Sequence, residues 1–154
     1  MKTIAVPGRC RCGRVTFMLH EEPLSFYLCH CTDCQAESGS AFGQSMHVRR
    51  KAIDSVDGVV QEHAYEGPSG VRNILTHCAE CMTIIWGGRP DMPQVVGLNA
   101  GSLKDIAGLM PHGNMWTRSA RPWVTFAPGP RFEQQPEDPL ALVRAWQEHR
   151  SNEA

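Results

Sequence analysis

"YLCHCTDCQAESGS", Tyr27 to Ser40, places three cysteines, Cys29, Cys31 and Cys34, within six positions. A disulfide framework needs pairs, and a closed tetrahedral zinc site needs four ligands. Two pairs lie outside the triplet: "RCRCG" carries Cys10 and Cys12, and "HCAEC" carries Cys78 and Cys81. All seven cysteines of the chain fall in these clusters. An odd number of thiols grouped in this way points to metal rather than disulfides. Scattered buried cysteines, acting as small hydrophobes, would not cluster.

Each outer pair is half of a site. With Zn–S near 2.3 Å, neighbouring sulfurs of a tetrahedral zinc lie roughly 3.8 Å apart. A C-x-x-C turn reaches that separation. A C-x-C does so when extended, because residues i and i+2 share a side. Cys10, Cys12, Cys78 and Cys81 together would close one structural zinc site and tie the N-terminal segment to a distant strand hairpin. Structural zinc is worth about 10–16 kcal/mol in small peptides, against about 5–15 kcal/mol for a whole domain. Loss of this ion is therefore expected to unfold the chain or nearly so. Cys29, Cys31 and Cys34 then remain as a three-ligand site with an open fourth position, the pattern of a catalytic zinc. The rival pairing, the triplet plus one outside cysteine, leaves another trio, and spacing alone does not separate the two.

An all-sulfur zinc is too electron-rich to polarise a carbonyl well, but it is a good place to hold one more thiolate. A free thiol is only a few per cent ionised at pH 7, whereas a metal-bound thiol is deprotonated outright. The gain is partly offset because bound sulfur is less nucleophilic. The triplet thus suits a small thiol attacking a small electrophile, or the reverse elimination. Two divalent ions do not neutralise seven thiolates, so an anionic thiol needs local cations. Arg118 and Arg121 in "MWTRSARPW" are candidates, although for either one alone a solvated surface charge is the commoner explanation. Gln35, Ser38 and Ser40 follow the triplet and are candidate lining residues, with turn formation as the competing role. His30, between two ligands, is read as pointing away from the metal. His112 is a weaker pocket candidate. Asp33, Glu37 and Glu80 are most simply solvated carboxylates.

The remaining chain frames this chemistry. At 154 residues one domain is the default, able to bury roughly 70% of its unfolded surface. Fifteen basic against sixteen acidic side chains argue against a nucleic-acid binder that works by bulk charge. No apolar run is long enough to span a bilayer, and "MKTIAVPGRC" is too short in its apolar part for a signal peptide. A cytoplasmic location, where thiols stay reduced, is expected. "RVTFMLH" alternates, with Val15, Phe17 and Leu19 on one face, and "AFGQSMHV", "VRNILTH", "TIIWG" and "QVVGLNA" are similar short strands. No helix of useful length is expected before the C-terminus. There Asp138 as N-cap, Pro139 at the first position and an apolar stripe of Leu140, Val143 and Trp146 predict a helix through Arg150, with "SNEA" frayed. The organisation expected is a zinc-binding β domain over 1–126 and, over 127–154, a proline-rich arm and helix packed on it.

The motifs "GRCRCGRV", "CHCTDCQAESGSAFG", "CAEC", "VVGLNAGSLKD" and "PHGNMWTRSARPWV" together resemble the glutathione-dependent formaldehyde-activating enzyme family, which includes the centromere protein V-like proteins. The resemblance runs from about Gly8 to Trp123. It implies a mainly β fold of the β-tent, Mss4-like type, a structural zinc on Cys10, Cys12, Cys78 and Cys81, and a catalytic zinc on Cys29, Cys31 and Cys34. It also implies a carbon–sulfur lyase that joins glutathione to formaldehyde as S-hydroxymethylglutathione, or releases it. The family usually has Phe before and Gly after the second pair; here His77 and Met82 stand there, which alters the turn beside the metal. Two other classes stay open: a zinc-stabilised interaction module without catalysis, and a zinc-buffering or redox-sensing protein.

Overall fold

The computed structural model describes residues 3–106 and 108–153. Its strands are β1 (Thr3–Arg9), β2 (Thr16–Glu21), β3 (Ser25–Cys29), β4 (Gly43–Arg49), β5 (Ile53–Asp57), β6 (Val60–Glu66), β7 (Arg72–Cys78), β8 (Ile84–Gly88), β9 (Val95–Asn99) and β10 (Asn114–Met115). Two helices, α1 (Thr32–Ser38) and α2 (Ala141–Glu153), complete a mainly β architecture with a short C-terminal helix. The chain forms two compact units, one of residues 1–23 and 46–108, the other of residues 24–45 and 109–154.

The first unit holds a three-stranded sheet, β1-β2-β5, and the antiparallel run β9-β8-β7-β6. The alternation through β2 works as expected: Val15, just before the strand, and Phe17 and Leu19 within it are all buried. Phe17 lies opposite Gly8 in the β1–β2 register, and a Cβ on Gly8 would collide with the Phe17 ring. Phe17 also meets Trp86 edge-on, with ring centroids 6.5 Å apart, and the Arg50 guanidinium covers Trp86. Pro7 sits on the edge strand β1, where a missing N–H costs no ladder bond; its carbonyl accepts from Lys104 N. β6 escapes the sequence pattern because its residues are almost all exposed, so it carries no apolar alternation.

In the second unit β3 is buried along its whole length. β10 pairs with it in parallel, Asn114 beside Leu28 and Met115 beside Cys29. The proline-rich arm runs alongside β10: Asn114 N donates to Pro130 O, Phe132 N to Asn114 O and Thr117 N to Phe132 O. Phe26 of β3 packs edge-on against Trp146 of α2 at 6.3 Å. The start of α2 differs from the sequence reading. The Asp138 carboxylate does accept from Leu140 N, but Pro139 and Leu140 form a turn and the helix opens at Ala141. The buried stripe is therefore Leu142 and Trp146, one turn apart, while Leu140 is exposed. Ser151 to Glu153 continue the helix rather than fray, and Ala154 lies outside the described residues.

Candidate metal centres

All seven cysteines are free thiols, and they assemble into two clusters whose sulfurs lie within 4.8 Å of one another: Cys10, Cys12, Cys78 and Cys81, and Cys29, Cys31 and Cys34. The sulfurs group as four and three, and no outside cysteine lies with the triplet.

The four-cysteine cluster belongs to the first unit. Cys10 and Cys12 sit in a tight turn after β1, closed by Gly13 N donating to Cys10 O, and not in the extended segment expected. Gly13 takes the positive φ that this turn needs. Cys78 ends β7, and a three-residue turn brings Cys81 round before β8. The Cys10–Cys12 sulfurs are 3.4 Å apart and those of Cys12 and Cys78 3.9 Å, near the edge of a tetrathiolate tetrahedron. Val15 N donates to the Cys10 sulfur, and the Thr83 hydroxyl lies 3.1 Å from that of Cys81. Arg11 ties the two halves together, its N donating to Thr83 Oγ1 and its Nη2 to Cys81 O. The Thr83 hydroxyl is the foremost cause holding the Cys81 thiol well below its ordinary range. Met82 adopts φ +60°, the left-handed conformation that a Gly takes without strain, and is exposed.

The triplet belongs to the second unit and is built by one strand end and one short helix. Cys29 closes β3, and Cys31 is the N-cap of α1, its sulfur accepting from Cys34 N at 3.3 Å. α1 was not expected from the sequence. Its signals were there: the helix formers Gln35, Ala36 and Glu37, closed by Gly39 at φ +64° donating to Gln35 O. Cys29 and Cys31 lie buried in a cluster with Tyr27, Met115, Trp116 and Leu142, with Cys34 and Phe132 at its margin. Trp116 also has a positive φ, of 57°. The Tyr27 hydroxyl bonds to Ser45, and burial raises its pKa, so the phenol stays neutral. Gly43 leaves room beside Cys34: a Cβ there would stand 3.3 Å from the sulfur. The three thiols cannot all ionise unaided. Hydrogen bonds from Cys29 and Cys34 push the Cys31 thiol far down, while the bonds with Cys29 and Cys31 push Cys34 far up. A divalent cation among the three sulfurs would offset the repulsion of their thiolates. Among the described residues no fourth Cys, His, Asp or Glu joins the three.

The other candidates separate. Gln35 is buried, and its Nε2 donates to both His30 O and Ser119 O. Ser38 closes α1, its hydroxyl donating to Cys34 O at 2.7 Å. An open groove of about 750 Å³ runs beside α1, lined by residues including Thr32, Gln35, Ala36, Arg121 and Trp123, but by no cysteine. Arg121 and Trp123 flank a turn around Pro122, closed by Val124 N donating to Arg121 O. Arg118 covers Trp116 at 5.0 Å and does not line that groove. His112 stacks on His149 instead of lining it. Asp33, Glu37 and Glu80 are exposed. His30 is fully buried.

The fold and the two thiol clusters define a mainly β cysteine protein with two candidate metal centres. The chain matches the family described as glutathione-dependent formaldehyde-activating enzyme over residues 5–119, and it belongs to that family. Among solved structures, the crystal structure of a Rhodobacter sphaeroides protein is similar, at 20% identity over 66% of this chain and 91% of its own, with a TM-score of 0.49. No curated protein matches the chain significantly. Among the described residues no helix is long and apolar enough to cross a membrane.

Proposed function

We propose that the chain binds two zinc ions and joins a small thiol, glutathione or a relative, to a small aldehyde such as formaldehyde, or catalyses the reverse release. The observation that carries this is the triplet itself: three converging thiols with no fourth side-chain ligand among the described residues, in a member of a thiol-dependent family. The four-cysteine cluster fits a closed structural ion. Zinc at the triplet would supply a place where a thiol is held as thiolate at neutral pH.

The chain's own residues do the rest. Tyr27, Met115, Trp116 and Leu142 pack around Cys29 and Cys31 and keep water from the metal side. The neutral Tyr27 phenol, held by Ser45, is a hydrogen-bond donor beside that cluster. Arg121 offers a cation to the carboxylate end of a peptide thiol lying in the groove, with the exposed Trp123 ring beside it. Gln35 fixes the segment that leads to Arg121 against the peptide between Cys29 and Cys31. In the reaction a C–S bond forms, the carbonyl π pair becomes an O–H bond, and the thiol proton is accounted for on that oxygen.

The test is native mass spectrometry of freshly reduced, zinc-loaded protein with glutathione, followed by exchange NMR of glutathione and formaldehyde. Two zincs, a non-covalent glutathione adduct lost in Cys31→Ser, and faster exchange are expected. Two zincs with neither adduct nor faster exchange would refute the reading. Arg121→Gln is expected to weaken glutathione about tenfold, the scale of one charge-assisted contact, and to leave 2-mercaptoethanol unchanged.

A further inference from the structure

His30 lies between two candidate ligands, yet its side chain turns to the opposite side. Its ring meets Phe42 and Phe126 edge-on, at 5.6 and 5.2 Å between centroids, and is wholly buried. Every other polar group of the residue is held. Its N–H donates to Met115 O at 2.9 Å, its carbonyl accepts from Gln35 Nε2 at 2.8 Å, and Nε2 lies 3.2 Å from Asn114 Oδ1. Asn114 is also fully buried, and its orientation is fixed by the arm: Nδ2 donates to Ala127 O and Oδ1 accepts from Ala127 N. Oδ1 can only accept, so His30 must carry its proton on Nε2. Nδ1 is then a bare lone pair with no partner, among aromatic rings.

That arrangement is poor economy for a core. An unsatisfied buried acceptor is a net cost to the fold, and a phenylalanine would fill the same aromatic slot without it. What the imidazole adds is a directed N–H bond that anchors the peptide linking Cys29 to Cys31. We infer that His30, held by Asn114, is a positioning residue that sets the separation of the Cys29 and Cys31 sulfurs and thereby the hold of the triplet on its metal. The device acts from behind the ligands, through the backbone, and touches neither metal nor substrate. Residues placed this way commonly change metal affinity by about 10–100-fold. The inference rests on the reading that the triplet binds zinc, but not on any thiol chemistry.

The experiment follows zinc release from the loaded protein to a chromogenic chelator. Two phases are expected, a fast one from the triplet, absent in Cys31→Ser, and a slow one from the four-cysteine site. A single phase with one zinc per chain would mean that the triplet holds no metal, and would remove the premise. His30→Phe keeps the aromatic packing and is expected to speed the fast phase at least tenfold, leaving the slow phase and the melting temperature of the loaded protein nearly unchanged. An unchanged fast phase in His30→Phe overturns the inference. So does acceleration of both phases with a fall in melting temperature, which is what a merely structural histidine would give. A measurement that needs no variant covers the case in which His30→Phe does not fold. Linkage is reciprocal, so stripping zinc from the triplet should speed solvent exchange of the His30 Nε2 proton, read by ¹⁵N NMR. Exchange indifferent to zinc would also overturn it.

Discussion

At the scale of single residues, two backbone positions beside the sulfurs define what the clusters tolerate. Met82 follows the second pair and holds φ +60°. A left-handed conformation costs an L residue about 1–2 kcal/mol, while Gly gives back about 0.5–1 kcal/mol in chain entropy. Met82→Gly should therefore stabilise the zinc-loaded protein by about 0.5–1 kcal/mol, read as a higher urea midpoint at unchanged slope. The exposed Met82 side chain gives up little packing in that exchange. A lower midpoint would mean that the methionine makes contacts worth more than the strain. Gly43 acts differently, through space rather than dihedral. An added Cβ would stand 3.2 Å from Cys34 Cβ and 3.3 Å from its sulfur, so the sulfur must shift by a few tenths of an ångström. Gly43→Ala should weaken zinc at the triplet by about tenfold and leave the four-cysteine site alone. Equal zinc retention at both sites in a competition titration would show that Cys34 has room to give.

At the scale of elements, α1 links capping to ligation. Cys31 caps the helix with the same sulfur that it would offer to a metal. Serine is among the best N-caps, so Cys31→Ser removes a ligand and keeps the cap. The expected outcome is one zinc per chain instead of two, with a change in unfolding free energy within about 1 kcal/mol apart from the lost metal linkage. Cys78→Ser removes a ligand from the cluster that joins the β1 turn to the β7–β8 hairpin, and should give protein that is unfolded or melts far lower. Similar melting of the two variants would erase the distinction between a structural and an open site. The same elements show what the sequence made legible. The strands β2, β4 and β9 could be read because each buries alternate residues, and β7 and β8 because they are short runs between turn residues, although their burial does not alternate. The thiol clusters could be read because metal ligation needs short spacings. What could not be read was set by other contacts. β1 breaks its pattern with Pro7 and Gly8, α1 is too short to show a period, and the stripe of α2 is displaced because Pro139 and Leu140 go into the turn before it. His30 and Asn114 are 84 residues apart, and no local pattern could announce their bond.

At the scale of the whole molecule, stability against pH carries a term from neither cluster. His47 of β4 is buried enough that its pKa falls to about 4, from an ordinary value near 6.5. Burial disfavours the charged imidazolium, so between those values the unfolded chain binds a proton that the folded chain refuses. Stability is thus full above about pH 6.5 and is lost as pH falls towards 4. Between pH 7.5 and 5.5 the loss from this one group is at most about 1.4 kcal/mol, and less to the extent that the ring keeps some contact with water. In zinc-loaded protein, protonation of thiolates that hold the metal would lower stability in the same direction, so the wild-type curve alone does not isolate the histidine. The comparison that does is wild type against His47→Gln, each with zinc in excess. Glutamine has no proton to gain, so its curve should be flatter by about 1 kcal/mol across that window, with the two curves converging in slope above pH 7. Parallel curves throughout would mean that His47 titrates near its ordinary value, and that the acid sensitivity of the fold belongs to its thiolates alone.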